Sequence, residues 1–149
     1  MEKKKVLIVD DDFGTRELIE SIFMDDEDKF EVFKAIDAKT GHILLEQSPD
    51  LVIVDIMMPK VDGFEFIRRV RNVGPNKTVP IMVLTAKHQE ADMREAINAG
   101  ADEFMTKPFE IEILKRSIET RLFHPEFLPE DDEFFRHPSR LHYVRGKKR

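Results

Sequence analysis

Short apolar runs recur along the chain and predict five β-strands. Two runs are wholly apolar and rich in β-branched residues, Val6–Val9 and Leu51–Val54. Two more come close to that pattern, Phe30–Ala35 and Pro80–Leu84. Runs of this length that are apolar on both faces are typical of strands buried inside a parallel sheet. A fifth run, Glu103–Thr106, is shorter and more polar, as expected of a strand at the edge of the sheet.

Amphipathic stretches with helical spacing separate these runs. Apolar residues three and four positions apart fall on one side of a helix, so each stripe predicts a helix that packs on the sheet. A weaker helix is predicted over Ala38–Gln47 with Asp37 as its N-cap, and Gly100 is expected to end the helix before it in a left-handed conformation. The four clear stripes are Leu18, Ile19, Ile22 and Phe23; Phe64, Ile67 and Val70; Met93, Ala96 and Ile97; and Ile111, Leu114, Ile118 and Leu122.

Strand and helix therefore alternate five times between about residues 5 and 122. Strict alternation indicates an α/β fold in which helices cover both faces of a parallel sheet. We expect a five-stranded parallel sheet, doubly wound and flavodoxin-like, with strand order 2-1-3-4-5. The Gly-rich fingerprints GxGxxG and GxxxxGK[ST] do not occur in the sequence, which argues against dinucleotide and P-loop nucleotide sites.

The composition fits one domain in the cytoplasm. A chain of 149 residues is close to the size of a single average domain. The absence of cysteine excludes a disulfide framework, a thiolate nucleophile and a cysteine-bound metal. The net charge of −6 disfavours nonspecific binding of nucleic acid by the chain as a whole. Because the run Val6–Val9 is too short for a signal peptide or a membrane span, we expect a soluble protein with no membrane partner.

Polar residues with complementary chemistry stand where the predicted strands end. In an open α/β sheet, ligands bind beyond the carboxyl ends of the strands, and the expected order places the first and third strands side by side. The residues at these ends are Asp10, Asp11 and Asp12 after the first strand, Asp55 after the third, Thr85 and Ala86 after the fourth, and Lys107 and Pro108 after the fifth.

Carboxylates that converge in this way repel one another unless they are solvated, protonated or bound to a cation. Oxygen ligands suit Mg²⁺ or Mn²⁺ better than zinc, and Thr85 and Lys107 could bind an anion such as phosphate. Each residue alone has a plainer interpretation: Asp12 could cap the next helix, Asp55 could lie in a solvated turn, and Lys107 at the surface. The coincidence of four such strand ends favours a binding site.

The same residues lie in longer blocks that resemble the receiver domain of two-component response regulators, including the single-domain chemotaxis type. The blocks follow the order and spacing of that family and together span residues 1 to about 123. The resemblance implies a receiver domain over residues 1–123 and a C-terminal extension over residues 124–149, too short for a full output domain. The blocks are Val6–Asp12, Pro49–Pro59, Asp62-Gly63, Pro80–Ala86 and Ala99–Phe109.

The resemblance implies roles for the acidic residues. Asp55 would be the phosphoacceptor, attacking a phosphohistidine on a sensor histidine kinase or a histidine phosphotransfer protein. Asp11 would coordinate Mg²⁺ directly and Asp10 mainly through water, with Asp55 and the backbone carbonyl of Met57 as further ligands. Because an aspartyl phosphate is a reactive mixed anhydride that water hydrolyses, such a domain would catalyse only its own phosphorylation and dephosphorylation.

The resemblance also implies a phosphoryl-binding side. Thr85, the backbone amide of Ala86 and Lys107 would hold the phosphoryl oxygens. The peptide bond between Lys107 and Pro108 would be cis, a feature nearly confined to proline.

The resemblance further implies that switching involves Thr85 and Phe104, with Phe104 rotating inward as Thr85 moves toward the phosphoryl group. The alternative is that Phe104 is a core or edge aromatic residue that never moves. The surface that changes would comprise the helix after Thr85, the fifth strand and the helix from Phe109 to Leu122. It would serve a downstream protein target or a homodimer.

Residues 124–149 combine prolines with aromatic residues, which argues against both a long helix and a typical disordered tail. Three interpretations stay open: the aromatic residues pack on the receiver or on a second copy, the segment contacts a partner protein or nucleic acid, or the chain is a fragment of a longer regulator. Nucleic-acid binding would use the basic end, Arg145-Gly146-Lys147-Lys148-Arg149, and would at best be weak and salt-sensitive. The aromatic residues are Phe127, Phe134, Phe135 and Tyr143, and the prolines are Pro125, Pro129 and Pro138.

The leading hypothesis is therefore a phosphorylatable signalling receiver. Its rival is a receiver fold that signals by protein contact without phosphorylation, which the intact set of strand-end residues disfavours. An acid-phosphatase-type enzyme that uses Asp55 on small phosphate esters is weaker still, because Met57 stands where a second carboxylate is expected.

Overall fold

The computed structural model describes residues 2–58, 60–137 and 140–147, which form seven strands and five helices. None of the described helices combines the length and apolarity needed to cross a bilayer. The strands are Lys4–Val9 (β1), Phe30–Ala35 (β2), Leu51–Val54 (β3), Ile81–Thr85 (β4), Glu103–Thr106 (β5), Glu133–His137 (β6) and Arg140–Val144 (β7). The helices are Phe13–Met24 (α1), Ala38–Leu44 (α2), Gly63–Asn72 (α3), Glu90–Ala99 (α4) and Ile111–Phe123 (α5).

All described strands belong to one sheet in the order β2-β1-β3-β4-β5-β7-β6. The first five strands are parallel and follow the expected order, so the flavodoxin-like α/β fold is confirmed. The prediction of a five-stranded, wholly parallel sheet is wrong, because β6 and β7 form a hairpin that joins β5 in antiparallel fashion. Only β7 alternates inward and outward residues, with Leu141 and Tyr143 buried, whereas β6 is exposed along its whole length and offers no strand-like pattern.

Two apolar layers explain why the central strands are wholly apolar. Residues alternate across a strand, so Leu7 and Val9 face one layer while Val6 and Ile8 face the other. Helices α2, α3 and α4 close the first layer, and α1 and α5 close the second. Since β1 has helices on both faces, its last four residues are fully buried.

The helix ends follow their sequence signals. The Asp37 carboxylate accepts a 2.8 Å hydrogen bond from the Thr40 amide and caps α2 as predicted. The helix predicted over Ala38–Gln47 is present as α2, over Ala38–Leu44, followed by a 3₁₀ turn over Leu45–Gln47. Gly100 ends α4 at a φ of +121°, a backbone conformation that side chains with a Cβ rarely adopt.

Strand β5 was expected at the edge of the sheet, and that expectation is wrong. It lies between β4 and β7, and all four of its residues are buried. Its polar character comes from Glu103, whose carboxylate lies 3.0 Å from Arg121 Nε and 2.8 Å from His142 Nε2. Burial opposes the charged form, but the contacts with His142 and Arg121 outweigh it and hold the pKa of Glu103 below its ordinary value.

The C-terminal segment packs on the rest of the chain through β7. Leu141 and Tyr143 join the apolar layer beneath α4, in line with the first interpretation of the tail. Phe127, Phe134 and Phe135 remain exposed, so that interpretation holds for only part of the aromatic set.

The basic end of the chain is only partly described. Arg145 forms an ion pair with Asp102, and Lys147 contacts the Glu126 carbonyl and the Glu130 carboxylate. Lys148 and Arg149, with Pro138, Pro59 and Met1, lie outside the described residues. The division of the chain near residue 123 stays a prediction.

We expect Thr106→Val to loosen the pairing of β5 with β7. Thr106 Oγ1 accepts a 3.0 Å hydrogen bond from the buried Leu141 amide. Valine would leave that N–H without its partner, which costs about 1–3 kcal/mol. Amide hydrogen exchange over residues 140–144 should therefore accelerate relative to β1.

Thr120→Val is the matched control, because the Thr120 hydroxyl bonds to the Arg116 carbonyl on the exposed side of α5. Equal acceleration of residues 140–144 in both variants would contradict the assignment of this anchoring role to Thr106.

Glu103→Gln should change how stability depends on pH. Because the folded-state pKa of Glu103 is lowered, its stabilising contribution is present above the ordinary glutamate pKa and is lost as pH falls through the folded-state pKa. The variant should be less stable than the native protein at neutral pH, and the difference in free energy of unfolding should narrow between about pH 7 and about pH 3. Denaturant titrations across this range measure it.

Glu112→Gln, at an exposed position in the first turn of α5, serves as the control and should show a much smaller difference, at most about 0.3–1 kcal/mol. A difference between Glu103→Gln and the native protein that stays constant with pH would show that the carboxylate charge is not what stabilises β5.

Candidate functional site

Three carboxylates meet at the carboxyl edge of the sheet. Asp10 follows β1 and Asp55 follows β3, and the Asp55 amide donates a 3.0 Å hydrogen bond to the Val9 carbonyl, which fixes the two loops side by side. One oxygen from each of Asp10, Asp11 and Asp55 lies within 4.8 Å of the others. Asp10 and Asp55 are 2% and 7% exposed, whereas Asp11 faces solvent.

Lys107 neutralises the two buried carboxylates directly. Its Nζ lies 3.0 Å from Asp10 Oδ2 and 2.9 Å from Asp55 Oδ2. Burial disfavours the ammonium, but the two carboxylates outweigh burial and raise the pKa of Lys107. For Asp10, burial is the strongest influence and raises its pKa, against the opposing effects of the Asp12 amide and Lys107.

The loop backbone orients both carboxylates in the same way. The Asp12 amide donates to Asp10 Oδ1, and the Met57 amide donates to Asp55 Oδ1, each at 2.9 Å. Each aspartate thereby bonds to the backbone two residues further on, a geometry that Asp adopts readily in turns. This leaves Oδ2 of each side chain for Lys107.

The third consecutive acid has a different role. Asp12 is the N-cap of α1, and its carboxylate accepts 2.8 Å hydrogen bonds from the amide and hydroxyl of Thr15. These bonds lower the pKa of Asp12. The plainer interpretation of Asp12 is therefore confirmed, and the carboxylate cluster contains Asp10 and Asp11 but not their neighbour.

Gly63 lets α3 begin against the loop that carries Asp55. A Cβ at this position would lie 2.4 Å from Ile56 Cα and 2.6 Å from the Asp55 carbonyl oxygen. The Gly63 amide donates a 3.2 Å hydrogen bond to the Ile56 carbonyl. Sequence reasoning noted the Asp62-Gly63 pair but gave it no role; a glycine directly after a capping aspartate was the available signal.

Sequence reasoning also missed Arg16. Its Nη1 donates a 2.7 Å hydrogen bond to the Asp10 carbonyl, so the first turn of α1 holds the backbone of the acidic loop. An arginine one turn after a helix cap has no distinctive sequence signature.

The expected phosphoryl-binding residues stand at the same edge of the sheet. Thr85 ends β4, and its carbonyl accepts a 2.7 Å hydrogen bond from the Lys107 amide. The Thr85 side chain is buried and accepts a 3.2 Å hydrogen bond from the Lys87 amide, whereas Ala86 is exposed. The peptide bond between Lys107 and Pro108 is cis.

Phe104 lies in the middle of β5 with a fully buried side chain. Its strand neighbours are Val83 on β4 and Tyr143 on β7. The structure therefore shows the Phe104 side chain in the inward position. Its movement between two positions stays a prediction.

The geometry can bind a hard cation and an anion next to each other. The donors are all oxygens from carboxylates, a set that fits Mg²⁺ or Mn²⁺ and offers no nitrogen or sulfur ligand to zinc. The Lys107 ammonium adds a cationic group at the edge of this cluster. Such a combination is suited to phosphoryl chemistry, in which positioning and charge neutralisation are the main requirements.

Comparison with known proteins agrees with this arrangement. The response regulator receiver domain matches residues 6–119, a segment that includes every member of the site. The chain belongs to the response regulator receiver family. Receiver domains of this family act in two-component signalling. The acidic cluster of this receiver lies beyond the carboxyl ends of the strands, where an α/β sheet with this strand order binds ligands.

Curated relatives of this receiver include two regulators of Synechocystis sp. The DNA-binding dual master transcriptional regulator RpaA is 34% identical over 127 residues, which cover 85% of this chain and 52% of the relative. The response regulator Rre1 is 36% identical over 124 residues, which cover 80% of this chain and 53% of the relative. The chain thus spans about half the length of these curated relatives.

Solved structures are similar to this receiver over most of its length. The chemotaxis response regulator CheY4 of Vibrio cholerae superimposes with a TM-score of 0.73 at 30% identity, covering 81% of this chain and all of that one. A CheY-like receiver domain protein of Methanospirillum hungatei gives a TM-score of 0.74 at 26% identity and covers 84% of this chain and 98% of its own. These matches confirm the receiver fold.

Gly63→Ala should destabilise the receiver by about 1–3 kcal/mol, because the added Cβ cannot fit against the backbone of the Asp55 loop without displacing it. Gly14→Ala is the control: its Cβ would meet only Asp12 Oδ2, at 3.4 Å, so this variant should keep close to the native stability. Chemical denaturation gives both free energies of unfolding. Similar values for the two variants would be inconsistent with a tight approach of α3 to this loop.

Proposed function

We propose that this protein is a phosphorylation-dependent response regulator receiver that accepts a phosphoryl group on Asp55. The observation that carries the proposal is the contact of one ammonium group, on Lys107, with the carboxylates of both Asp10 and Asp55. The donor would be a phosphohistidine on a sensor histidine kinase or a histidine phosphotransfer protein. A carboxylate oxygen of Asp55 attacks phosphorus, the P–N bond to the donor histidine breaks, and the imidazole leaves.

We propose that Oδ2 of Asp55 is the attacking oxygen. Oδ1 accepts a hydrogen bond from the Met57 amide in the backbone, whereas Oδ2 accepts one from the Lys107 side chain, a partner that the arriving phosphoryl group can take over. As the phosphoryl group arrives, Lys107 exchanges its contact with Asp55 Oδ2 for one with a phosphoryl oxygen. Its contact with Asp10 keeps the ammonium at the site during this exchange.

Asp10, Asp11, Asp55 and the Met57 carbonyl would hold Mg²⁺, with Mn²⁺ as a substitute. When bound, the ion offsets the charge that accumulates between the carboxylates and the phosphoryl oxygens. Asp11, the exposed member of the cluster, is the residue most open to a hydrated cation. The receiver would act as an enzyme only on itself, promoting its phosphorylation and then the hydrolysis of the aspartyl phosphate.

Thr85, the Ala86 amide and Lys107 would bind the phosphoryl oxygens. The Thr85 hydroxyl can donate to a phosphoryl oxygen while it accepts from the Lys87 amide, because a hydroxyl both donates and accepts. The Thr85 carbonyl bonds to the amide of Lys107, the residue directly after β5, and this bond is the route by which we propose that a displacement of Thr85 reaches β5. Phe104, buried on the same strand, is the residue through which we propose that the change reaches the surface formed by α4, β5 and α5.

That surface is modified in this protein by the C-terminal hairpin. Strand β7 covers the edge of β5, so a downstream target or a homodimer at this face would meet α4, the hairpin and α5 together. The relatives include transcriptional regulators, which supports a role upstream of an output function. Nucleic-acid binding by the basic end stays disfavoured by the net charge of −6, and we place the protein in the cytoplasm.

We expect wild-type protein incubated with Mg²⁺ and acetyl phosphate to gain one phosphoryl group, and Asp55→Asn to gain none. Asp62→Asn is the matched control: it is a similar change at an exposed helix cap close by, and it should leave phosphorylation intact. Intact-protein mass spectrometry measures the gain. Chelation of the metal with EDTA should abolish it in both competent proteins.

The rival hypothesis, a receiver that signals without phosphorylation, predicts that the wild-type protein gains no phosphoryl group. If the wild-type protein takes up neither a phosphoryl group nor beryllium fluoride, the proposed function fails. If Asp55→Asn is modified as fully as the wild type, the function stands but the assignment of the acceptor fails.

A further inference from the structure

Strand β6 forms one edge of the described sheet, with β2 at the other, and it carries two adjacent exposed phenylalanines. All five of its residues are exposed, and Phe134 and Phe135 at its centre are 39% and 53% exposed. Proteins ordinarily protect such edges with lysine, proline or a bulge, because the unpaired backbone groups can pair with another strand. Only its ends carry charged or titratable groups: Glu133 at one, Arg136 and His137 at the other.

The pairing of β7 shows which backbone groups of β6 face outward. The Leu141 amide donates to Thr106 on the β5 side, so successive alternation directs the His142 backbone toward β6. Phe135 is the register partner of His142 and therefore directs its amide and carbonyl back at β7. Its neighbours Phe134 and Arg136 direct their amides and carbonyls away from the sheet, where a further strand can bind them.

We propose that β6 is a dimerisation edge that pairs antiparallel with β6 of a second copy of this chain, with Phe135 at the twofold axis. This register is the one in which the strand complements itself. Glu133 then lies opposite His137 of the second copy, Phe134 opposite Arg136, and Phe135 opposite Phe135. A parallel in-register pairing would instead place like on like, Glu133 on Glu133 and Arg136 on Arg136.

Contacts within one chain show that these side chains suit such a pairing. The Arg136 guanidinium already lies over the Phe134 ring, 5.1 Å from its centroid, and also pairs with Glu90 of α4. In the dimer the same guanidinium lies between its own Phe134 and that of the second copy, on the face of the sheet that α4 covers. Cross-strand aromatic and opposite-charge pairs of this kind each stabilise a sheet.

A second copy fits this edge better than an arbitrary extended peptide. The polar groups at the two ends of β6 are of opposite type, acidic at Glu133 and basic or imidazole at Arg136 and His137, and the aromatic pair lies between them. A partner strand places a complementary group opposite every residue of β6 only if it carries these groups in the reverse order. An antiparallel copy of β6 has that order by symmetry.

Cysteine cross-linking tests the register, because the chain has no native cysteine. In the proposed dimer Phe135 of one copy is opposite Phe135 of the other in a pair without mutual hydrogen bonds, where Cα atoms are about 4.5 Å apart and a disulfide can form. Phe135→Cys of the full chain should give a covalent dimer under mild oxidation. Phe134→Cys, whose opposite residue is Arg136, and Phe127→Cys, on the exposed turn before β6, should do so at least about tenfold more slowly.

A charge exchange tests the same register without oxidation. His137→Glu places Glu opposite Glu133 twice in each dimer and should weaken dimerisation roughly tenfold. Adding Glu133→Lys to that variant restores opposite charges and should recover or exceed the wild-type affinity. Compensation within one chain is excluded, since the two positions are four steps apart along the strand, a distance of about 13 Å.

Sedimentation equilibrium of the wild type and these variants, with circular dichroism to show that each is folded, decides the outcome. The proposal is overturned if the wild-type chain is a monomer at every concentration, or if a dimer forms but Phe134→Cys and Phe135→Cys cross-link equally fast. It is equally overturned if the double exchange fails to restore what His137→Glu loses. Because Asp55→Asn leaves β6 unchanged, it should dimerise normally, which separates this test from that of the proposed function.

Discussion

Burying two carboxylates at the end of a parallel sheet requires a counter-charge, and Lys107 supplies it. Asp10 and Asp55 are almost fully buried, and each has its second oxygen within 3.0 Å of the Lys107 ammonium. Without that ammonium the two carboxylates would repel strongly in this environment. The ammonium has to reach both carboxylates at once, and this requirement constrains the strand order, the loop turns and the start of α3.

The constraint on Lys107 extends into the C-terminal hairpin through β5. On one side the Lys107 amide bonds to the Thr85 carbonyl of β4, and on the other the preceding residue, Thr106, bonds to Leu141 of β7. At the opposite end of β5, Glu103 contacts His142. The strand that delivers the lysine is thus held from both sides, and the hairpin is part of the support of the site although it lies outside the segment that matches the family.

The sequence predicted the elements that depend on local pattern and on the fold class. It did not predict the features that depend on pairing between distant parts of the chain. Wholly apolar runs and helical stripes predicted the first five strands and the helices between them, and the flavodoxin-like fold class supplied their order. With that order, acids at strand ends predicted the cluster of Asp10, Asp11 and Asp55. The polar composition of β5 misled, because Glu103 is matched by Arg121 and by a histidine 39 residues away, a pairing that no local pattern contains. Strand β6 could not be predicted, since a strand with neither face buried has no alternation.

The hairpin also changes what the edge of a receiver sheet can do. With the order 2-1-3-4-5 alone, β5 would be an edge with an acidic end, Asp102-Glu103, and in this protein that end is matched by Arg145, just after β7, and by His142 within it. Strand β7 thus covers the charged edge of β5, and β6 becomes the new edge of the described sheet. The partner proposed for that edge is an antiparallel β6 from a second copy of the chain. Because β7 contacts both β5, the strand that leads to Lys107, and β6, the strand that forms the new edge, only two strands, β7 and β6, separate β5 from any partner bound at β6.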